Sequence, residues 1–152
     1  MEPLSGEEEY RAEYTVERKV GQGGFGKVYL VRRVGDQEPF AAKCVRARSR
    51  RDKEKAKREV EMLQGLDNQF IMRLVGGFES ASEVILVTEF LAGGELFERV
   101  VDEEFALTEA DCVLFLRQIC QGILYLHTRN IAHLDLKVDR QHYNLSSQRT
   151  SW

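Results

Sequence analysis

The stretch Gly21-Gln22-Gly23-Gly24-Phe25-Gly26-Lys27-Val28-Tyr29-Leu30-Val31 decides how the first half of the chain is read. Glycine allows positive φ and lets backbone N–H groups approach a phosphate with no Cβ in the way. Glycines at this spacing also occur in dinucleotide-binding turns and in plain hairpins, so the loop alone decides nothing. Its sequel discriminates. A dinucleotide-binding turn should open a helix, whereas Lys27 to Val31 is β-branched and aromatic in character. Upstream, Tyr14, Val16 and Val20 give apolar alternation, so the glycines join two strands of a hairpin. Such a loop suits a lid over nucleotide phosphates, with a flexible turn as the alternative.

Further along the chain, Gly35 and Asp36 mark a turn, and Pro39 to Val45 reads as a third strand. Arg46 to Leu66 is charged, rich in Lys, Glu and Ala, and helix-forming by propensity. Ile71 to Phe78 and Val84 to Glu89 follow as strands around the polar turn Ser80–Glu83. After Gly93–Gly94 the character becomes helical, with a short piece from Glu95 and a long one from Thr108 to His127. Thr108 and Asp111 have capping-box spacing. Residues 1–13 read as a flexible acidic lead-in. The fold class is α+β: a five-stranded antiparallel sheet with one helix inserted, then an incomplete helical part.

Two further sites carry chemistry. Phe40-Ala41-Ala42-Lys43 puts a lysine near the end of the third strand, where a surface cation is the plain reading. The following helix changes that. Ala56, Val60 and Leu63 form an apolar stripe, and Glu59 lies on the same stripe. A carboxylate facing a core is costly unless paired, and Lys43 is the natural partner. Further on, His133-Leu134-Asp135-Leu136-Lys137 follows the long helix and a turn at Arg129-Asn130. Its aspartate can orient a hydroxyl while the lysine stabilises a transferring phosphoryl group. Alone, a structural aspartate would serve equally well.

In this order and spacing the three sites resemble the protein-kinase set of glycine-rich loop, strand lysine, helix glutamate and HRD-type catalytic loop. The wider match is to the myosin light chain kinase and titin-like branch of the calmodulin-dependent kinases. Glu89-Phe90-Leu91-Ala92-Gly93-Gly94-Glu95-Leu96-Phe97-Glu98-Arg99-Val100-Val101-Asp102 resembles that branch's hinge and next helix, and Leu134 replaces the usual Arg as it does there. The resemblance implies an N-lobe and hinge over 14–91, a partial C-lobe over 92–137, and an unrelated aperiodic tail over 138–152. It implies ATP as ligand, with the loop Gly21, Gln22, Gly23, Gly24, Phe25, Gly26 and Lys27 over the phosphates. Val28 and Ala41 would pack on the adenine. Lys43, positioned by Glu59, would hold the α- and β-phosphates. Thr88 would stand behind the adenine, Glu89 and Leu91 would offer it backbone groups, and Glu95 would reach the ribose or a basic substrate residue. Asp135 would be the catalytic base and Lys137 would touch the γ-phosphate. Leu63, Leu74 and His133 would join the packed column of the family. The intact family implies Mg2+ and, in this branch, a protein substrate of myosin light chain type.

The pattern then breaks. After Lys137 the family expects Pro-Glu-Asn, but Val138-Asp139-Arg140 stands there, and a cation at Arg140 would repel the Mg2+ that the Asn should bind. No DFG, activation loop or calmodulin-binding segment occurs in the 152 residues. The chain as written is therefore expected to lack phosphoryl transfer, with a non-catalytic nucleotide-binding or decoy module as the alternative. The long helix is apolar around most of its circumference, so exposed side chains and marginal stability are expected.

Composition sets the outer bounds. The chain is 43% hydrophobic and 31% charged, with a net charge of −3. No apolar run is long enough for a membrane span, and the acidic start lacks a signal-peptide pattern, so a cytoplasmic location without membrane contact is expected. Eight Lys or Arg lie between Arg46 and Arg58, but Asp52 and Glu54 interrupt them. A solvated helix face is expected rather than a nucleic-acid patch. Cys44, Cys112 and Cys120 form no CxxC pair and read as buried thiols in a reducing compartment. His127, His133 and His142 lack metal-ligand spacing, and no protein-held metal is expected.

Overall fold

The computed structural model describes residues 4–23, 26–93, 96, 108–134, 136, 142–144 and 149–151. In chain order the elements are β1 (Ser5–Gly6), α1 (Glu7–Glu13), β2 (Tyr14–Gly23), β3 (Gly26–Arg33), β4 (Pro39–Arg46) and α2 (Arg50–Gln64). They continue with β5 (Leu74–Glu79), β6 (Glu83–Glu89), α3 (Glu109–His127), β7 (His142–Asn144) and β8 (Arg149–Ser151). The chain divides into two compact units, Met1–Leu66 with Arg73–Phe90, and Asp67–Met72 with Leu91–Trp152.

The first unit is a six-stranded sheet in the order β1-β5-β6-β4-β3-β2. Its five longer strands pair antiparallel, as the alternation implies, while β1 adds a sixth, parallel strand beside β5. Side chains of β6 alternate between two cores, as strand geometry requires. Val84 and Leu86 pack with Ala56 and Val60 of α2, joined by Leu4, Val45, Leu63 and Leu74. Ile85 and Val87 belong to the other core, with Tyr10, Tyr14, Val31, Phe40, Ala42 and Phe78.

The reading of residues 1–13 as a flexible lead-in is corrected for Ser5 to Glu13. Glu7, Glu8 and Glu9 favour a helix N-terminus, and the Glu9 carboxylate accepts the Gly6 N–H at 3.0 Å. Tyr10 is buried, with its ring 5.4 Å from Phe78 and 5.7 Å from Tyr14. A seven-residue helix has little stability by itself, so this tertiary contact holds it. Among its described residues the sheet-bearing unit thus has two helices, not one.

The inserted helix starts at Arg50 rather than Arg46. Ser49 Oγ accepts the Asp52 N–H at 3.1 Å, and the Asp52 carboxylate accepts the Ser49 N–H at 3.0 Å. That capping box sets the boundary.

In the second unit, α3 begins at the expected capping box. Thr108 Oγ1 accepts the Asp111 N–H at 3.2 Å, while Asp111 accepts the Thr108 N–H at 3.0 Å. It ends in a Schellman motif, with the Ile131 N–H on the Leu126 carbonyl and the Asn130 N–H on that of His127, both 3.0 Å. Asn130 supplies the left-handed residue at φ 58. Phe115, Gln118, Gly122 and Leu126 make the buried face, whereas Val113, Leu116 and Leu124 are 59%, 61% and 63% exposed. Within the stretch read as an aperiodic tail, β7 and β8 pair antiparallel. The rest of that stretch lies outside the described residues.

Candidate functional site

Strand register assembles one face of the first unit. Val28 lies opposite Lys43, and Lys43 opposite Leu86; Leu30 lies opposite Ala41, and Ala41 opposite Thr88. Because strand side chains alternate, Val28, Ala41, Lys43 and Thr88 share a face. That face also carries Leu86, which packs on α2.

Here α2 delivers its carboxylate. Lys43 Nζ donates to Glu59 Oε1 at 2.6 Å, joining strand to helix across 16 positions of sequence. Ala56 and Val60 are the buried residues of α2, and Leu63 is half-buried, so the apolar stripe is the packed one. Glu59 does not face the core as its place on the stripe predicts. The Lys43 and Glu59 side chains are 33% and 41% exposed, so Glu59 sits at the rim of the stripe and not inside the core. An ion pair this exposed contributes only about 0–1 kcal/mol to stability. Its consequence is geometric, since it fixes where the ammonium sits. An ammonium has three N–H donors, and with one on Glu59 two remain to be used.

The glycine loop spans the turn from β2 to β3. Gly26 has φ +145, and a Cβ there would lie 2.3 Å from the backbone oxygen of Cys44, so only glycine fits. Gly23 differs, because a Cβ there would meet nothing within 4 Å. Gly21 pairs with Val28, and Gln22 with Lys27. The Gln22 side-chain oxygen accepts from the Lys19 ammonium. Gly24 and Phe25 lie outside the described residues.

At the end of β6, backbone groups are partly committed. The Glu89 N–H donates to the Arg73 carbonyl at 3.1 Å, and the Glu89 carboxylate accepts the Arg73 N–H at 3.0 Å. The Thr88 hydroxyl donates to the Glu89 carbonyl at 3.3 Å, which leaves that oxygen a second lone pair. Carbonyl acceptance, not N–H donation, is therefore what Glu89 can offer a ligand.

The second unit holds the remaining candidates. Leu91 and His133 are half-buried. Leu134 has φ 59 and is 93% exposed, an uncommon backbone state for a bulky residue. Glu95, Asp135, Lys137 and Arg140 lie outside the described residues. Within this unit the Asp67 N–H donates to the Tyr125 hydroxyl at 2.8 Å, and the Arg129 guanidinium stacks 3.8 Å from the Tyr125 ring centroid.

One polar cluster carries no motif in the sequence. Lys53 and Lys57 of α2 reach Glu79 Oε2 at the end of β5, at 3.1 and 2.7 Å. Lys57, and then Lys53, hold the Glu79 carboxyl below its ordinary range. Helical spacing puts the two lysines, four apart, on one side of α2, but nothing in it points to Glu79. Other cations of this basic stretch also meet carboxylates: Arg46 with Glu83 at 3.7 Å and Arg50 with Glu54 at 3.1 Å. The cysteines depart from the expected buried thiols. Cys44 is half-buried, and burial followed by the Glu83 charge pushes its thiol up to about 11. Cys112 and Cys120 are exposed on α3. Among the described residues no helix is long and apolar enough to cross a membrane.

Residues 14–140 match the protein kinase domain family, and the chain belongs to that family. Its relatives include human myosin light chain kinase family member 4, 41% identical over 126 residues, covering 82% of this chain and 32% of the relative. Human myosin light chain kinase 3 is 43% identical over 118 residues, covering 78% of this chain and 14% of the relative. The twitchin kinase fragment of C. elegans superposes with a TM-score of 0.89 at 31% identity, over 98% of this chain and 33% of that one. The sheet and partial helical unit are those of a protein kinase, and the relatives it resembles are myosin light chain kinases and twitchin kinase. The chain spans a third or less of the length of these relatives.

Proposed function

We propose that this chain binds ATP through its sheet-bearing unit and does not complete phosphoryl transfer. The Lys43–Glu59 contact at 2.6 Å carries the reading. It holds the ammonium on the sheet face that also bears Val28, Ala41 and Thr88, with two N–H groups left for phosphate oxygens. Gly21, Gly23 and Gly26 bring loop backbone to the phosphates, and the open space at Gly23 suits a close approach. Val28 and Ala41 supply apolar contact for the adenine, and the Glu89 carbonyl an acceptor for its amino group. By family correspondence Leu91 would make a second backbone contact and Glu95 would reach the ribose or a basic substrate residue. By the same correspondence Asp135 would be the base for a Ser/Thr hydroxyl and Lys137 would touch the γ-phosphate. The protein substrate would be of the myosin light chain type that the relatives' names carry.

The residues present do not fit the family's Mg2+. Arg140 stands where the family places an asparagine, and a guanidinium has no lone pair for a metal and carries the wrong charge. This favours nucleotide retention over turnover. Titration of a fluorescent ATP analogue, with and without magnesium, tests the reading. Binding should be magnesium-independent and weaken by about tenfold or more in Lys43→Met, the loss of one charge-assisted hydrogen bond. No binding, or binding indifferent to Lys43→Met, would contradict it. In a radiolabelled phosphate-transfer assay, turnover that disappears in Asp135→Ala would overturn the non-catalytic part.

A further inference from the structure

We propose that residues 4–13 form a clasp over the β5 edge of the sheet that positions α2, and with it Glu59 on Lys43. The segment touches both cores from one end of the sheet. Leu4 packs on the α2 side, against the cluster of Ala56, Val60, Val84 and Leu86. Ser5 and Gly6 then cover the edge, pairing parallel with Phe78 and Glu79. Beyond them α1 delivers Tyr10 to the opposite core, against Phe78 and Tyr14. One segment thus grips the sheet from both faces.

The grip is tied to α2 at two points. Gly77 of β5 has no side chain, and a Cβ there would lie 2.6 Å from Val60 Cγ1 and 3.1 Å from Leu4 Cδ2. The glycine therefore lets Leu4 and Val60 meet over the strand. Val60 is fully buried and directly follows Glu59, so Leu4 bears on the turn that carries the carboxylate. The second point is Glu79, paired with Gly6 and bound by Lys53 and Lys57. Lys53 Nζ also donates to the Ser80 carbonyl at 3.0 Å. The first turns of α2 are thereby moored to the strand end that the clasp covers.

An exposed ion pair cannot hold a helix by its own energy. The position of Glu59 depends on what packs behind α2, and Leu4 is part of that packing. Leu4 and Tyr10 are positioning residues: they act through α2 and not on a ligand. The functional consequence rests on Lys43 binding nucleotide, but the mechanical claim does not.

Amide hydrogen exchange on the full chain, comparing wild type with Leu4→Ser and Leu4→Met, separates the two. In Leu4→Ser, amides from Ala56 to Leu63 should exchange roughly tenfold faster, a local loss of protection. Amides of β3 and β4 should be unchanged, and Leu4→Met should restore wild-type rates. The affinity for a fluorescent ATP analogue should fall in parallel. Unchanged exchange in α2, or uniform acceleration across the sheet, would overturn the clasp. Should Leu4→Ser fail to fold, Leu4→Ala decides by the same comparison. If the wild-type chain binds no analogue, the nucleotide reading fails and the exchange result still judges the clasp.

Discussion

Helices α2 and α3 start alike and end up unlike. Each opens on a capping box, Ser49 with Asp52 and Thr108 with Asp111. In α2, of 15 residues, only Ala56 and Val60 are buried, and apart from the exposed Met62 and Gln64 the rest is charged or half-buried. In α3, of 19 residues, the buried face of Phe115, Gln118, Gly122 and Leu126 has an apolar face beside it that stays open. Contrast is the difference. A narrow stripe in a charged helix states which side packs, and so states what Glu59 faces. A helix apolar all round states only that it wants burial.

That contrast can be broken by substitution. Val60→Ala should be the most damaging, costing about 2–3 kcal/mol, because Val60 is fully buried in a packed cluster. Leu116→Ala should stay within about 0.5 kcal/mol, being 61% exposed. Urea unfolding followed by circular dichroism measures both. Equal losses would mean that the open face of α3 is covered in solution.

Alkali should strike the sheet-bearing unit next. Burial pushes Tyr10 up to about 12, and burial with the neighbouring Glu13 does the same for Tyr14. A raised phenol pKa means that folding favours the neutral form. That stability is fully present below the ordinary value of about 10 and is lost as pH rises through about 12. Thermal midpoints should fall across this window, and Tyr10→Phe should blunt the fall.

Caps come third. Ser49→Ala and Thr108→Ala should each cost about 1 kcal/mol, by the same unfolding measurement. Similar values would show that the helices differ in their faces and not in their starts. Smallest in stability is Leu116→Lys with Leu124→Lys, which should leave unfolding unchanged within about 0.5 kcal/mol. The same variant should reduce self-association in light scattering.

The same contrast explains what was legible. Strand alternation and turn residues give β2 to β6, although β5 starts at Leu74 and not at Ile71, and Ala56, Val60 and Leu63 locate Glu59 and thereby Lys43. The start of α2 was written in Ser49-x-x-Asp52, yet the charged run from Arg46 hides it. β1 and α1 were not legible, since a two-residue strand and a seven-residue helix exist only through Leu4 and Tyr10. Glu79 was equally hidden, because its lysines lie on another element. The semi-exposed state of the Lys43–Glu59 pair depends on the rim of α2, which periodicity alone does not resolve.

On the proposed function, α2 places Glu59 so that Lys43 can hold nucleotide phosphates. A double-mutant cycle on ATP-analogue affinity, with Lys43→Met, Glu59→Gln and the pair together, tests it most directly. Glu59→Gln should weaken binding by about tenfold in the wild type and have no effect once Lys43 is gone, a coupling of roughly 1 kcal/mol or more. Purely additive losses, or an affinity indifferent to both residues, would contradict the account.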